Sequence, residues 1–150
     1  MPDTRPSPYF VLFNEIGILH QLSRALLEAR LPDGLLSTHF GVLNHLVRVG
    51  EGTTPLAIAR AFQVPKTTMT HTLSGCVKHG LIEMRPNPED ARSKCIWLTD
   101  KGRQVREDMV VAAATGMGDF VEHFPEDKVE ALLPALTEMR QFLDKARDET

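Results

Sequence analysis

Between Glu51 and Glu83 the chain carries no aspartate or glutamate, while Arg60, Lys66, His71, Lys78 and His79 all fall inside that stretch. A helix over residues 66 to 79, with Leu73 at the centre of its buried stripe, places Thr67, Thr68, His71, Ser74, Gly75, Lys78 and His79 on the opposite face. Hydroxyls, imidazoles and amines in this arrangement donate hydrogen bonds to phosphates and base edges, and a carboxylate among them would repel a polyanion. A second basic set follows, with Arg85 and Lys94 in two short extended runs and Asp90-Ala91-Arg92 between them. The chemistry on offer is anion recognition. No nucleophile motif, phosphate loop or metal-ligand spacing of any strength accompanies it, so no enzyme, cofactor or metal is expected. Cys76 and His79 form a C-x-x-H, but Cys76 falls on the buried stripe and His79 on the polar face, and no further ligand stands at metal-binding spacing. Cys76 falls on the buried stripe as a small hydrophobe, and Cys95 beside Lys94 is the better candidate for a redox-sensitive thiol.

Net charge hides this patterning. The total of −3 divides into −1 over residues 1 to 59, +5 over residues 60 to 106 and −7 over residues 107 to 150. A basic middle between acidic flanks fits a surface that meets nucleic acid on one side only. The 150 residues, 42% hydrophobic and 25% charged, suit one soluble globular domain spanning 1–150, and they exclude disordered and low-complexity classes. No apolar run approaches the ~18 residues of a membrane span, and residues 1 to 8 lack the basic and apolar parts of a signal peptide. Two cysteines cannot build a disulfide framework. A cytoplasmic location, with no membrane partner, is expected.

The elements that must position these groups are mainly helical. Phe10, Phe13, Ile16, Leu19, Leu22, Leu26 and Leu27 recur at helical spacing, predicting an amphipathic helix over residues 9 to 30. Ser37 is expected as the N-cap of a second helix bearing Phe40, Leu43, Leu46 and Val47, stopped by Gly50-Glu51-Gly52. Thr54-Pro55 starts a third, short helix with Leu56, Ile58, Ala59 and Phe62. The fourth runs from Lys66 to His79, with Met69, Leu73, Cys76 and Val77 as its buried stripe and Gly80 beyond its end. Residues 81 to 85 and 94 to 98 read as the strands of a hairpin with a long tip over 86 to 90. Thr99 caps a further helix carrying Val105, Met109 and Val110, which loosens at Gly116 and Gly118. A last helix over residues 125 to 147 contains Pro134, where a kink or break is expected because Pro cannot donate to the Glu130 carbonyl.

Two short helices joined by a tight turn form a helix-turn-helix, and the basic hairpin after them makes it a winged one. Here the sequence resembles the MarR family of winged-helix transcriptional regulators. Residues Ser37-Thr38-His39-Phe40-Gly41-Val42-Leu43 resemble the segment leading into that family's second helix, and Ile58-Ala59 its third. Thr67-Thr68-Met69-Thr70 resembles the start of the recognition helix, and Lys78-His79-Gly80-Leu81-Ile82 its exit. Asp90-Ala91-Arg92 is similar to the family's D-x-R wing motif, and Leu98-Thr99-Asp100-Lys101-Gly102 to the L-T-x-x-G that opens the next helix. The sequence departs from the pattern at Cys76 and Val77, at mid-helix Gly75, at Ala91 and at Pro65.

The resemblance implies a winged helix-turn-helix lobe over about 37–102, with dimerisation helices over about 9–30 and 103–148. It implies a homodimer on double-stranded DNA, more often a repressor, released by a small-molecule effector. Thr67, Thr68, Thr70, His71 and Ser74 would then reach bases or phosphates, with Lys66, Lys78, Arg85 and Lys94 on phosphates. Arg92 would enter the minor groove with Asp90 orienting it. Phe13, His20, His39, Phe40 and Met109 could line an effector pocket between the dimer helices and the lobe, or be plain core. Competing readings are a winged-helix module that binds protein partners without DNA, a thiol-based redox-responsive regulator, and a small thiol-dependent enzyme.

Overall fold

A computed structural model describes residues 4–150, so the first three residues of the N-terminal stretch expected to lack a signal peptide lie outside the described residues. Helix α1 (Pro8–Glu28) starts where Ser7 accepts from the Tyr9 N–H at 3.3 Å and Pro8 occupies a position that needs no donor. Helices α2 (Ser37–Val49), α3 (Pro55–Phe62) and α4 (Lys66–Lys78) follow, then an antiparallel hairpin of β1 (Ile82–Asn87) and β2 (Asp90–Leu98). Helices α5 (Asp100–Thr115), α6 (Gly118–His123) and α7 (Glu126–Asp148) complete the chain. The architecture is mainly α with a small β-hairpin wing, as expected.

Local chemistry fixes most boundaries. Thr54 caps α3 by accepting from the Ala57 N–H at 3.2 Å, and Thr99 caps α5 by accepting from the Gly102 N–H at 3.0 Å. Helix α4 ends with Gly80 at φ +69°, the Gly80 N–H donating to Val77 O and the Leu81 N–H to Cys76 O, which satisfies carbonyls that the last turn leaves open. Gly102 has a packing role. A Cβ there would overlap the Leu81 carbonyl oxygen, so its absence lets α5 start against the base of the wing, where the Thr99 hydroxyl also donates to Gly80 O at 2.6 Å.

The core lies almost wholly within the winged lobe, with Leu35 just before α2 and Met109 on α5 as the buried apolar residues beyond it. Val42, Leu43 and Leu46 of α2 meet Ile58 and Ala59 of α3, Met69, Leu73 and Cys76 of α4, and Leu81, Ile82, Ile96 and Leu98 of the wing. Each fully buried Leu or Ile contributes about 1.5 to 3 kcal/mol by leaving water. Helices α1 and α7 contain no buried residue, and Tyr9 is 77% and Phe142 71% exposed.

Several expectations are corrected. Ser37 is the first residue of α2, not its cap, because its N–H and hydroxyl both donate to the Glu28 carboxylate at 3.2 and 2.8 Å. Those bonds hold Glu28 below the usual carboxylate range. The cap is Leu36, whose N–H donates to His39 Nδ1 at 3.0 Å. On α4 the buried stripe turns toward Thr72 and leaves Val77 45% exposed; the Thr72 hydroxyl bonds back to Thr68 O at 3.2 Å, which removes the cost of burying it. Val47, Leu56, Phe62 and Val110 are exposed rather than core. The hairpin tip is short: only Pro88 and Glu89 separate the strands, and Asn87 pairs with Asp90. Helix α7 runs unbroken through Pro134, one missing donor within a helix of 23 residues. The loosening expected at Gly116 and Gly118 is present, Gly116 capping the end of α5 and Gly118 opening the short helix α6, which the sequence pattern did not show.

Candidate nucleic-acid interface

Helix α4 is seated on the core by Met69, Thr72, Leu73 and Cys76, which turns the expected donors outward. Lys66, Thr67, Thr68, Thr70, His71, Ser74 and Lys78 are all exposed. The Thr70 hydroxyl donates to Lys66 O at 2.9 Å, leaving its lone pairs outward. Pro65 at the N-cap offers no side-chain acceptor, so the first-turn N–H groups open toward that end of the helix. No carboxylate stands anywhere on α4.

The wing carries the second set. Between Pro86 and Asn87 the pairing partner moves from Lys94 to Asp90, so Ala91, Arg92 and Ser93 bulge from the ladder. The bulge lifts Arg92 outward, its side chain 92% exposed, while Asp90 Oδ1 accepts from the Arg92 N–H at 3.0 Å and from Nε at 3.3 Å. Asp90 therefore orients Arg92, and a pair this exposed adds little stability. Lys94 is exposed. Arg85 is engaged with Glu83 and lies 4.8 Å from the ring centroid of Trp97. The wing base is tied down by Glu51, which accepts from the Leu98 N–H at 2.8 Å and from Arg103. Burial pushes the Glu51 carboxyl up, but these two partners outweigh it and hold it below the usual range.

The structure also joins α4 to the start of α2. Thr38, His39, His71, Ser74, Lys78 and His79 line one cleft of about 340 Å³. His39 packs so closely over Gly75 that a Cβ there would overlap its Nε2, which accounts for a mid-helix glycine costing up to about 1 kcal/mol against Ala. Sequence reasoning put His79 on the polar face without assigning it a role and missed Thr38; the one local signal was the glycine at position 75. Trp97 and its contact with Arg85 were also missed.

The residues considered for an effector pocket do not converge. Met109 lines an apolar cleft with Leu26, Leu27, Ala113 and Met117, His39 lines the α2–α4 cleft, and Phe13, His20 and Phe40 line neither. Both cysteines are buried. Burial pushes the Cys76 thiol up to about 12. Cys95, expected to be the more reactive, is only 8% exposed and lies at the wall of a cleft with Arg85 and Trp97.

Residues 33–93 match the model of the MarR family, which spans α2 to the wing tip. The match covers the winged lobe, and over that stretch the chain is similar to the MarR family. A MarR protein from Peptoclostridium difficile superposes with a TM-score of 0.76 at 17% identity, covering 99% of this chain and 95% of that one. A mutant MarR from E. coli, solved in complex with operator DNA, superposes at 0.66 with 25% identity, covering 85% of this chain and 92% of that one. The transcriptional activatory protein BadR of Rhodopseudomonas palustris is 28% identical over 149 residues, covering 95% of this chain and 83% of its own length. MarR-family proteins are transcriptional regulators, and the terminal helices, outside the family match, agree with the solved relatives in fold. No helix among the described residues is long and apolar enough to cross a membrane.

Proposed function

We propose that this chain is a DNA-binding transcriptional regulator of the MarR type acting as a homodimer, with α4 in the major groove and Arg92 at a neighbouring minor groove. The observation that carries this reading is α4 itself, fixed on one side by the core and presenting Thr67, Thr68, His71, Ser74 and Lys78 with no carboxylate on the other. The operator complex of the E. coli relative supports duplex DNA as the partner. Lys66, Thr70, Lys94 and Arg85 extend the contacts along the phosphates, Arg85 only after leaving Glu83. The whole chain works as one domain in this proposal.

A second copy would cover the apolar faces of α1 and α7, where Phe10, Phe13, Leu19, Leu22, Leu132 and Leu136 are exposed. Its two-fold symmetry sets half-sites about 10 bp apart on a pseudo-palindromic operator. Release by a small molecule would act at the cleft bounded by Leu26, Leu27, Met109, Ala113 and Met117. Its volume of about 140 Å³ is below the ~300 Å³ at which ligand sites usually begin. Walls from the second copy are therefore needed to complete it. By binding one lobe spacing better than the other, the effector would shift the pair away from the half-sites. The small-molecule arm is read by ligand-dependent loss of DNA binding.

Repression is the output the family resemblance favours, and the activatory designation of the R. palustris relative favours activation as a second reading. A promoter–reporter fusion decides between them. The function itself is tested by sequencing genomic fragments retained by the purified protein: the expectation is enrichment of pseudo-palindromic intergenic sites, and uniform recovery would leave a protein-interaction role in its place.

A further inference from the structure

Three histidines from two helices meet on the proposed DNA face. The His39 and His79 ring centroids stand 6.0 Å apart with the planes tilted by 54°, and His71 lines the same cleft beside Ser74 and Lys78. His39 is only 8% exposed, and its Nδ1 accepts the Leu36 N–H, so it is the neutral tautomer with the proton on Nε2, facing Gly75. Burial first, then the charges of His79 and His71, hold its pKa down. It forms a neutral floor. His71, Lys78 and Thr38 are exposed and His79 half-buried along the same cleft.

We propose that this α2–α4 cleft is a titratable seat for one DNA backbone phosphate, held by Lys78, Ser74 and Thr38, with the imidazoles of His71 and His79 taking up protons as the duplex binds. The inference rests on the DNA-binding reading and adds to it a proton linkage. The charged and titratable groups around the seat come from each packed element: His39 from α2, His71 and Lys78 from α4 with His79 at its C-cap, and Lys101 from α5, whose Nζ donates to His79 O at 2.8 Å. The loop between α1 and α2 brings Gly34 against the His79 ring, with Asp33 next to it in sequence, and no aspartate or glutamate lines the cleft. A phosphate seated between the imidazoles favours their charged forms. The sign follows: protons are taken up on binding, so affinity rises as pH falls through the imidazole range, by up to about tenfold per pH unit for each proton.

The experiment is fluorescence anisotropy with a labelled mixed-sequence duplex of about 30 bp at low salt, between about pH 8 and about pH 6. Wild-type affinity is expected to rise by about tenfold or more across this range. The double variant H71Q/H79Q, checked for folding by circular dichroism, is expected to show less than a threefold rise, whatever its affinity at the higher pH. H123Q, changed on the separate helix α6, keeps the full rise. A wild-type affinity that does not change with pH, or a rise that survives in H71Q/H79Q, overturns the inference and leaves the DNA-binding reading standing. No binding at either pH overturns both.

Discussion

The winged lobe and the terminal helices are built from similar amounts of apolar sequence but use it differently. In the lobe, Leu43, Leu46, Ile58, Leu73, Leu81 and Ile96 are fully buried within a single copy of the chain. On α1 and α7, Phe10, Leu22, Leu132, Leu133 and Leu143 are half or more exposed or close to it, although they follow an equally regular stripe. Periodicity alone therefore shows which face is apolar and not what covers it. The lobe closes on itself and can hold α4 rigidly, whereas the terminal helices leave surface that a second copy would cover.

The largest expected effect comes from equal truncations in the two regions. Leu73→Ala should cost about 2 to 5 kcal/mol by opening a cavity in the lobe, which lowers the melting temperature by roughly 5 to 20 °C at this chain length. Leu22→Ala, on the exposed face of α1, should cost less than about 0.5 kcal/mol at protein concentrations low enough to keep the chain monomeric. Thermal melts at two concentrations check both, and equal losses in the dilute samples would break the contrast. A smaller effect on folding, but a decisive one on assembly, is expected from Leu132→Glu with Leu136→Glu on α7. Sedimentation should show the mass halved while the far-ultraviolet spectrum of the lobe is kept; an unchanged mass would place the dimer contact elsewhere.

The smallest expected effect is a pH dependence confined to the lobe. His39 and His45 both have lowered pKa values, chiefly through burial. Their charged forms are therefore less favoured in the folded chain than in the unfolded one, which takes up protons first as the solution is acidified. Stability is full above the ordinary histidine value of about 6.5 and declines as pH falls below it toward the lowered folded values. Denaturant titrations of wild type and H39Q across that window should give a flatter profile for the variant, and identical profiles would remove His39 from the account.

What the sequence showed and what it hid divide along the same physical line. The caps at Thr54 and Thr99, the stop at Gly80 and the Asp90–Arg92 pair depend on neighbours within a few residues, and each is legible from local chemistry. The capping role expected of Ser37 failed because Glu28, nine residues earlier, captures its hydroxyl. Val77 and Thr72 exchanged places because the direction of the core, set by α2 and α3, decides which edge of the stripe is covered. Cys95, the candidate reactive thiol, is largely buried because the wing folds back on the lobe, which no local pattern announces. The site divides in the same way. Its residues on α4 were visible as a carboxylate-free face, while the cleft with Thr38 and His39 exists only because α2 packs across Gly75.

The central claim is that α4 and the wing bind duplex DNA, and the most direct measurement is DNA affinity as a function of salt for wild type and Arg92→Ala. We expect wild-type affinity to fall by about 10³-fold or more between about 50 and about 200 mM salt if six or more phosphates are contacted. Arg92→Ala should weaken binding by about 1 to 3 kcal/mol at fixed salt. Affinity that ignores salt, or an Arg92→Ala protein that binds as tightly as wild type, would contradict the account.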